Sequence, residues 1–196
     1  MRYKADITAG SLKVAESRVI ADLLLHGVNG KGWDAAIFDE NVLKTRTPAT
    51  AKRLVRLIRG RLEGMDGELW KLVRDGAGDV TTHACLASAV KHSHLLGDFL
   101  DLVVRDEYRV FGSSLSNQSF EGYLDDCRAR DPEMPEWNES TRNKLRTTVF
   151  HILAQAGYIE NTRTRKLQTV RIASPVLDYL QRHGEHYVFR CIQVEP

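Results

Sequence analysis

The stretch TPATAKRLVRLIRGRL, Thr47 to Leu62, decides how the chain folds. Thr47 offers a side-chain oxygen for an N-cap, and Pro48 suits a first helical turn. Ala51, Leu54, Val55, Ile58 and Leu62 then recur at helical offsets, so one side of the segment is apolar. Lys52, Arg53, Arg56 and Arg59 project from the opposite side, and burying the apolar stripe leaves a cationic face in water.

The same periodicity runs outward in both directions. Ala15 to His26 carries Val19, Ile20, Leu23 and Leu24 on one side and is followed by Gly27, a residue that readily closes a helix. A shorter helix is expected between Asp66 and Arg74, and two more from Thr81 to Val110, broken between His92 and Gly97. Ser119 can cap a helix running to Arg130, and the Pro-bearing DPEMPEWNES connects it to a long helix from Glu139 to Ala156, closed by Gly157. Tyr158 and Ile159, the polar NTRTRK, then Val170 and Ile172 suggest two short strands around an exposed turn. Ser174 before Pro175 restarts a helix to Arg182.

Helix, connection, long helix and hairpin is the order of a winged helix-turn-helix. The expected fold is therefore mainly α. A helical bundle over residues 1–111 carries the basic helix, and a winged-helix-like unit with a short β-hairpin occupies residues 112–196. The two are expected to pack as one compact body.

A chain of 196 residues with 42% hydrophobic content can bury a substantial core. Lys and Arg number 28 against 26 Asp and Glu, so affinity for a polyanion must come from the placement of charge. Cys85, Cys127 and Cys191 stand far apart with no CxxC pair, which points to a reduced, cytoplasmic setting. Charges interrupt the N-terminal apolar stretches, and no run is long enough for a membrane helix.

Charge is placed unevenly. Lys44, Arg46, Lys52, Arg53, Arg56, Arg59 and Arg61 lie within eighteen residues that contain no Asp or Glu. Without carboxylates at helical spacing their mutual repulsion is unrelieved, and a phosphate backbone would relieve it. A second concentration comprises Arg142, Lys144, Arg146, Arg163, Arg165, Lys166 and Arg171, with Glu160 the one carboxylate from Ser140 to Ser174. The helix beneath it exposes Ser140, Asn143, Lys144, Thr147 and His151, short polar side chains that can meet base edges or phosphates. The candidate DNA-binding set is Lys44, Arg46, Lys52, Arg53, Arg56, Arg59, Asn143, Lys144, Arg146, Thr147, Arg163, Arg165 and Lys166. Between the clusters, residues 101–139 hold ten carboxylates against four arginines, a field of opposite sign.

Catalytic signatures are missing. The sequence has no phosphate-binding GxxxxGK loop, no GxGxxG, no GxSxG nucleophile elbow and no HExxH. His83 with Cys85, His92 with His94, and His183 with His186 are close in sequence, but partners two apart diverge on a helix and no CxxC completes a zinc site. No catalytic residue, metal, cofactor or small-molecule substrate is expected.

The N-terminal YKADITAGSLKVAESRVIADLLL, Tyr3 to Leu25, resembles the opening of the BrxA family of the bacterial BREX bacteriophage-exclusion systems. The specific part is Ala-Asp-x-Thr-Ala-Gly, Ala5 to Gly10, followed by Glu16, Ser17 and Arg18. The resemblance implies a non-enzymatic component of a phage-defence system that has other BREX proteins as partners. It also implies a helical fold similar to the antitermination factor NusB and binding of double-stranded DNA. Two other readings stand beside this one: a protein-protein adaptor within the defence complex, and an RNA-binding factor, since a phosphate-binding helix does not distinguish the two backbones.

Overall fold

A computed structural model describes residues 2–194. Helix α1 (Val14–Leu25) turns at Gly27, whose φ of +64° is the left-handed conformation that ends a helix cheaply. Helix α2 (Gly30–Asp34) runs without a break into a π-helical turn, Ala35–Asp39. The cationic helix α3 (Pro48–Leu62) starts where its sequence places it, with the Thr47 hydroxyl accepting the Thr50 N–H at 3.2 Å. Asp66 caps α4 (Gly67–Asp75) in the same way.

Helix α5 (Asp79–His92) is the hub. Its residues from His83 to Val90 are buried, and it contacts the first, third and fourth helices before it and, later in the chain, the helices at His94–Asp98, Ser174–Arg182 and His186–Ile192. Such all-round burial is why its apolar residues show no single stripe. The expected break falls at Ser93, whose hydroxyl donates to the Asp6 carboxylate at 2.6 Å. Beyond it, α6 (His94–Asp98), a π-helical turn at Phe99–Val104 and α7 (Arg105–Arg109) form one continuous rod.

Helix α8 (Asn117–Arg130) is capped by Ser116, which accepts from the Ser119 N–H at 2.8 Å, so the cap lies one turn earlier than the sequence suggests. Asn138 caps α9 (Glu139–Gln155), and Gly157 ends it with φ +86°. Phe99, Phe120, Tyr123 and Phe150 meet in tilted and edge-to-face pairs, with centroids 5.2 to 6.4 Å apart, and join α8 and α9 to the rod. Helices α10 (Ser174–Arg182) and α11 (His186–Ile192) close over α5.

The N-terminal segment is pinned at several points. The Asp98 carboxylate accepts from the Arg2 guanidinium at 2.8 Å, the Tyr3 hydroxyl at 2.7 Å and the Tyr187 hydroxyl of α11 at 2.8 Å. Asp131 accepts the backbone N–H groups of Arg2 and Tyr3. Tyr3, Ile7 and Leu12 are buried.

The structure overturns the expected β-hairpin, and with it the winged-helix-like unit. Among the described residues there is no β-strand, only isolated bridges from Ser114 to Lys166 and from Ile159 to Leu167. Arg165 adopts φ +50°, which breaks an extended run, and the Asn161 side chain folds the turn by accepting from the Arg163 and Thr164 N–H groups. The backbone of residues 165–168 then divides its hydrogen bonds. Some pair with Tyr158 and Glu160, and others with Ser113 and Leu115. Neither pairing extends far enough to make a strand.

Candidate nucleic-acid interface

Helix α3 buries Ala51, Leu54, Leu57, Ile58 and Leu62, and turns Lys52, Arg53 and Arg56 to solvent. With Lys44 and Arg46 on the approach to the helix, these are five cations that form no ion pair among the described residues. Lys44 sits at φ +51° in the loop, and Arg46 lies near Phe38, Asn41 and Thr47.

The other two arginines of the run have different roles. Arg59 bonds Glu63 at 2.8 Å and lies over the Trp33 ring with its guanidinium carbon 4.4 Å from the centroid. Arg61 is 3% exposed and donates to the carbonyls of Ser11 at 2.7 Å and Gly10 at 3.0 Å. Burial pushes its pKa down to about 10, partly offset by the nearby Cys85 and Asp6. It is a core tie between α3 and the N-terminal segment.

The exposed side of α3 faces two different neighbourhoods. Lys52, Arg56 and Arg59 rim a hollow of about 560 Å³ floored by Trp33, Ile37, Phe38 and Val55. Arg53, one flank round, opens instead onto a groove of about 350 Å³ shared with Lys13, Thr50, and Thr148 and His151 of α9. Ser140, Lys144, Thr147 and His151 are exposed at helical spacing, so one stripe of α9 leads to the Arg53 groove. Thr148 and His151 are the α9 residues that reach the groove, and Lys144 lies further along the exposed stripe.

Other members of the second cluster are engaged elsewhere. Arg142 and Arg146 each reach Glu121 of α8 at 2.7 Å, and Arg142 also meets Asp125 at 3.4 Å. Asn143, half-buried, accepts from Arg146 at 2.6 Å. Arg165 lies over Phe150, its guanidinium carbon 5.1 Å from the ring centroid, and donates to Asn117 at the start of α8. Arg163 and Lys166 are exposed on the turn. The carboxylate-rich segment is likewise used within the molecule: Asp101 pairs with Arg105 and Arg190, Asp106 with Arg109, and Glu136 with Arg128.

Phe38, which lines these surfaces, carries no signal in the sequence, whereas Trp33 stands beside it as a buried anchor. Trp33 and Phe38 belong to α2 and its π-helical turn, a stretch too short and too rich in Gly to show helical periodicity. Among the described residues no group of three or more His, Cys, Asp or Glu could hold a metal ion, and no helix is long and apolar enough to cross a membrane. All three cysteines are free and buried.

The fold and surface define an all-α protein built around a buried central helix, with a cationic helix face whose Lys52, Arg53 and Arg56 have no carboxylate partner among the described residues. The chain belongs to the BrxA family, whose sequence model matches residues 1–184. It is 54% identical over 193 residues to a protein named BREX protein BrxA from Paramagnetospirillum magneticum, covering 98% of this chain and 97% of the relative. A protein of the same name from Escherichia coli strain HS is 32% identical, covering 96% and 88% respectively. The fold is similar to the crystal structure of an uncharacterized protein from Magnetospirillum magneticum, with a TM-score of 0.94, 52% identity and complete coverage of both chains.

Proposed function

We propose that this chain is a double-stranded DNA-binding component of a BREX phage-defence system, acting beside other BREX proteins and performing no reaction of its own. The observation that carries the reading is the unpaired cationic face of Lys44, Arg46, Lys52, Arg53 and Arg56, in a molecule where most other arginines have found carboxylates or carbonyls. Helix α3 has fifteen residues and spans roughly 22 Å, enough to follow several phosphates along a duplex. His151 of α9 lines the Arg53 groove beside it, and Lys144 and Thr147 are exposed on the same stripe of α9. The large exposed aromatics, Phe38 and Phe111, sit on separate elements and form no row on which unpaired bases could stack. That favours a duplex over a single strand.

The test is an anisotropy titration of the protein with random-sequence duplex DNA, duplex RNA and single strands at about 50 and 200 mM salt. Duplex DNA should bind most tightly and lose affinity steeply with salt. Absence of duplex-DNA binding at the lower salt, or tighter binding to either of the other ligands, refutes the proposal.

A further inference from the structure

Among the described residues four large apolar side chains are exposed, and three of them lie together where α7 ends: Leu102, Val110 and Phe111, at 39%, 71% and 91% exposure. A solitary exposed apolar side chain is ordinary, whereas a cluster marks a surface that meets a partner. The backbone turns Phe111 outward. The Tyr108 carbonyl accepts the Phe111 N–H at 3.1 Å and the Glu107 carbonyl accepts the Gly112 N–H at 2.8 Å, which closes the helix with Phe111 at φ +55°. That left-handed position ordinarily falls to glycine. Here it carries a phenyl ring almost wholly in water, so no packing within the chain offsets the strain.

Beside the tip a groove of about 360 Å³ runs between the rod and α8. Leu102, Val103 and Val110 give it an apolar floor. On the α8 side, no atom lies within 4 Å of where a Cβ on Gly122 would stand, so another chain can approach the helix closely there. Asp106, Glu107 and Asp126 border the groove. Arg109 offsets Asp106 at 3.5 Å, while Glu107 and Asp126 enter no ion pair among the described residues.

We propose that this tip and groove dock a basic, apolar segment of another protein of the BREX system. Phe111 enters the partner, apolar residues of the segment lie in the groove, and its cations, lysine included, face Glu107 and Asp126. Charge decides the class of occupant: the carboxylates repel a nucleic acid and the anionic headgroups of a membrane, and they attract a cationic polypeptide. An exposed aromatic is a common anchor of a protein contact. The inference extends the reading of the chain as a component acting beside other BREX proteins. It does not rest on DNA binding, because this groove shares no lining residue with the hollow or the groove along α3.

The test takes each of the other proteins of the same BREX system, purified singly and treated with nuclease, and titrates it against the immobilised full chain by biolayer interferometry. One of them should bind, and more weakly as salt is added. Phe111→Gly should weaken that binding about 30-fold or more. Its melting temperature should stay at or above the wild-type value, since glycine accepts the left-handed position without strain. Glu107→Gln/Asp126→Asn should weaken binding about tenfold, and Arg109→Gln, which frees Asp106, should tighten it. Lys52→Gln/Arg53→Gln/Arg56→Gln should bind the partner as wild type does, and Phe111→Gly should bind duplex DNA as wild type does, so failure of the DNA reading and failure of this one are distinguishable.

A carbodiimide, which joins a carboxylate directly to a neighbouring amine, maps the contact. Glu107 or Asp126 should cross-link to a lysine in a partner segment that also carries apolar residues. Absence of binding by every other BREX protein overturns the proposal. So does binding that is unaltered in Phe111→Gly or lost in the α3 variant, or a cross-link map that leaves both carboxylates untouched.

Discussion

Neutralising Arg53 and Arg56 should change how binding of duplex DNA responds to salt, and the change can be estimated from the ion pairs. Lys44, Arg46, Lys52, Arg53 and Arg56 form no ion pair among the described residues, so together they can release the counterions of about five phosphates, giving a slope of about −4.5 for log K against log salt. From 50 to 200 mM salt, affinity should then fall about 500-fold. In the double variant Arg53→Gln/Arg56→Gln the slope should drop to about −2.7, and the same salt step should cost about 40-fold. The control is Arg142→Gln/Arg146→Gln. Those guanidiniums already face Glu121 at 2.7 Å, so removing them should leave the slope near its wild-type value. Fluorescence anisotropy at nanomolar protein reads both slopes. An unchanged slope in the first variant, or a drop of similar size in the control, would refute the assignment of the phosphate-facing surface to α3.

Arg61→Ala should leave the Gly10 and Ser11 carbonyls without their donor and open a void beneath α3, costing about 2–4 kcal/mol and lowering the melting temperature by roughly 5–15 °C. Differential scanning calorimetry checks it, and a melting temperature within a degree or so of wild type would contradict a structural role. His83 gives a pH dependence of definite sign. Its Nδ1 accepts the Ala173 N–H at 3.1 Å, and burial holds its pKa below the ordinary 6.5, so the proton favours the unfolded chain. The stability this neutral ring contributes is present above the unfolded value and is lost as pH falls through about 6.5 towards the lower folded value. Melting curves from about pH 7.5 to 5 should slope less steeply in His83→Gln; identical slopes would sink the assignment.

Helices with one wet and one dry side were legible because their apolar residues recur at fixed spacing. Pro48 to Leu62, with its Thr47 cap, begins and ends where the sequence places it, and the break after His92 falls at Ser93. The segment Gly30–Asp39 was opaque because it combines a five-residue helix with a π-helical turn, neither long enough to establish a period. The expected wing failed for a different reason. Tyr158, Ile159 and Ile172 are buried as apolar residues should be, but they are buried against the body with only isolated bridges between the two segments. β-branched and aromatic residues at the two ends of a polar loop therefore did not imply a strand pair.

The charge clusters were visible in sequence, whereas their partners were not. Arg142 and Arg146 seemed to extend a basic surface because the carboxylates that meet them, Glu121 and Asp125, come from another helix some twenty residues away. Arg61 falls in the same run of cations as Arg56 and Arg59, but it stands three residues after Ile58 and seven after Leu54, on the apolar side of α3, and the structure buries it. A cation count read along the chain overstates a phosphate-binding surface whenever helices of opposite charge are neighbours.

The Arg61 contact also links the N-terminal segment to the proposed interface. Within Ala5–Gly10, Asp6 accepts from Ser93 at the α5–α6 break, and the Gly10 carbonyl, with that of Ser11, receives the Arg61 guanidinium. Arg18 donates to the carbonyls of Arg74 and Gly76, closing the end of α4. These residues are ties between elements. They position α3 by holding the one arginine that points inward, and they do so mainly with carbonyl oxygens. A carboxylate in that place would satisfy Arg61 equally well and would lower the potential of the outer face, where Arg53 and Arg56 stand unpaired. Neutral acceptors hold the inward arginine and leave the outer face of α3 cationic.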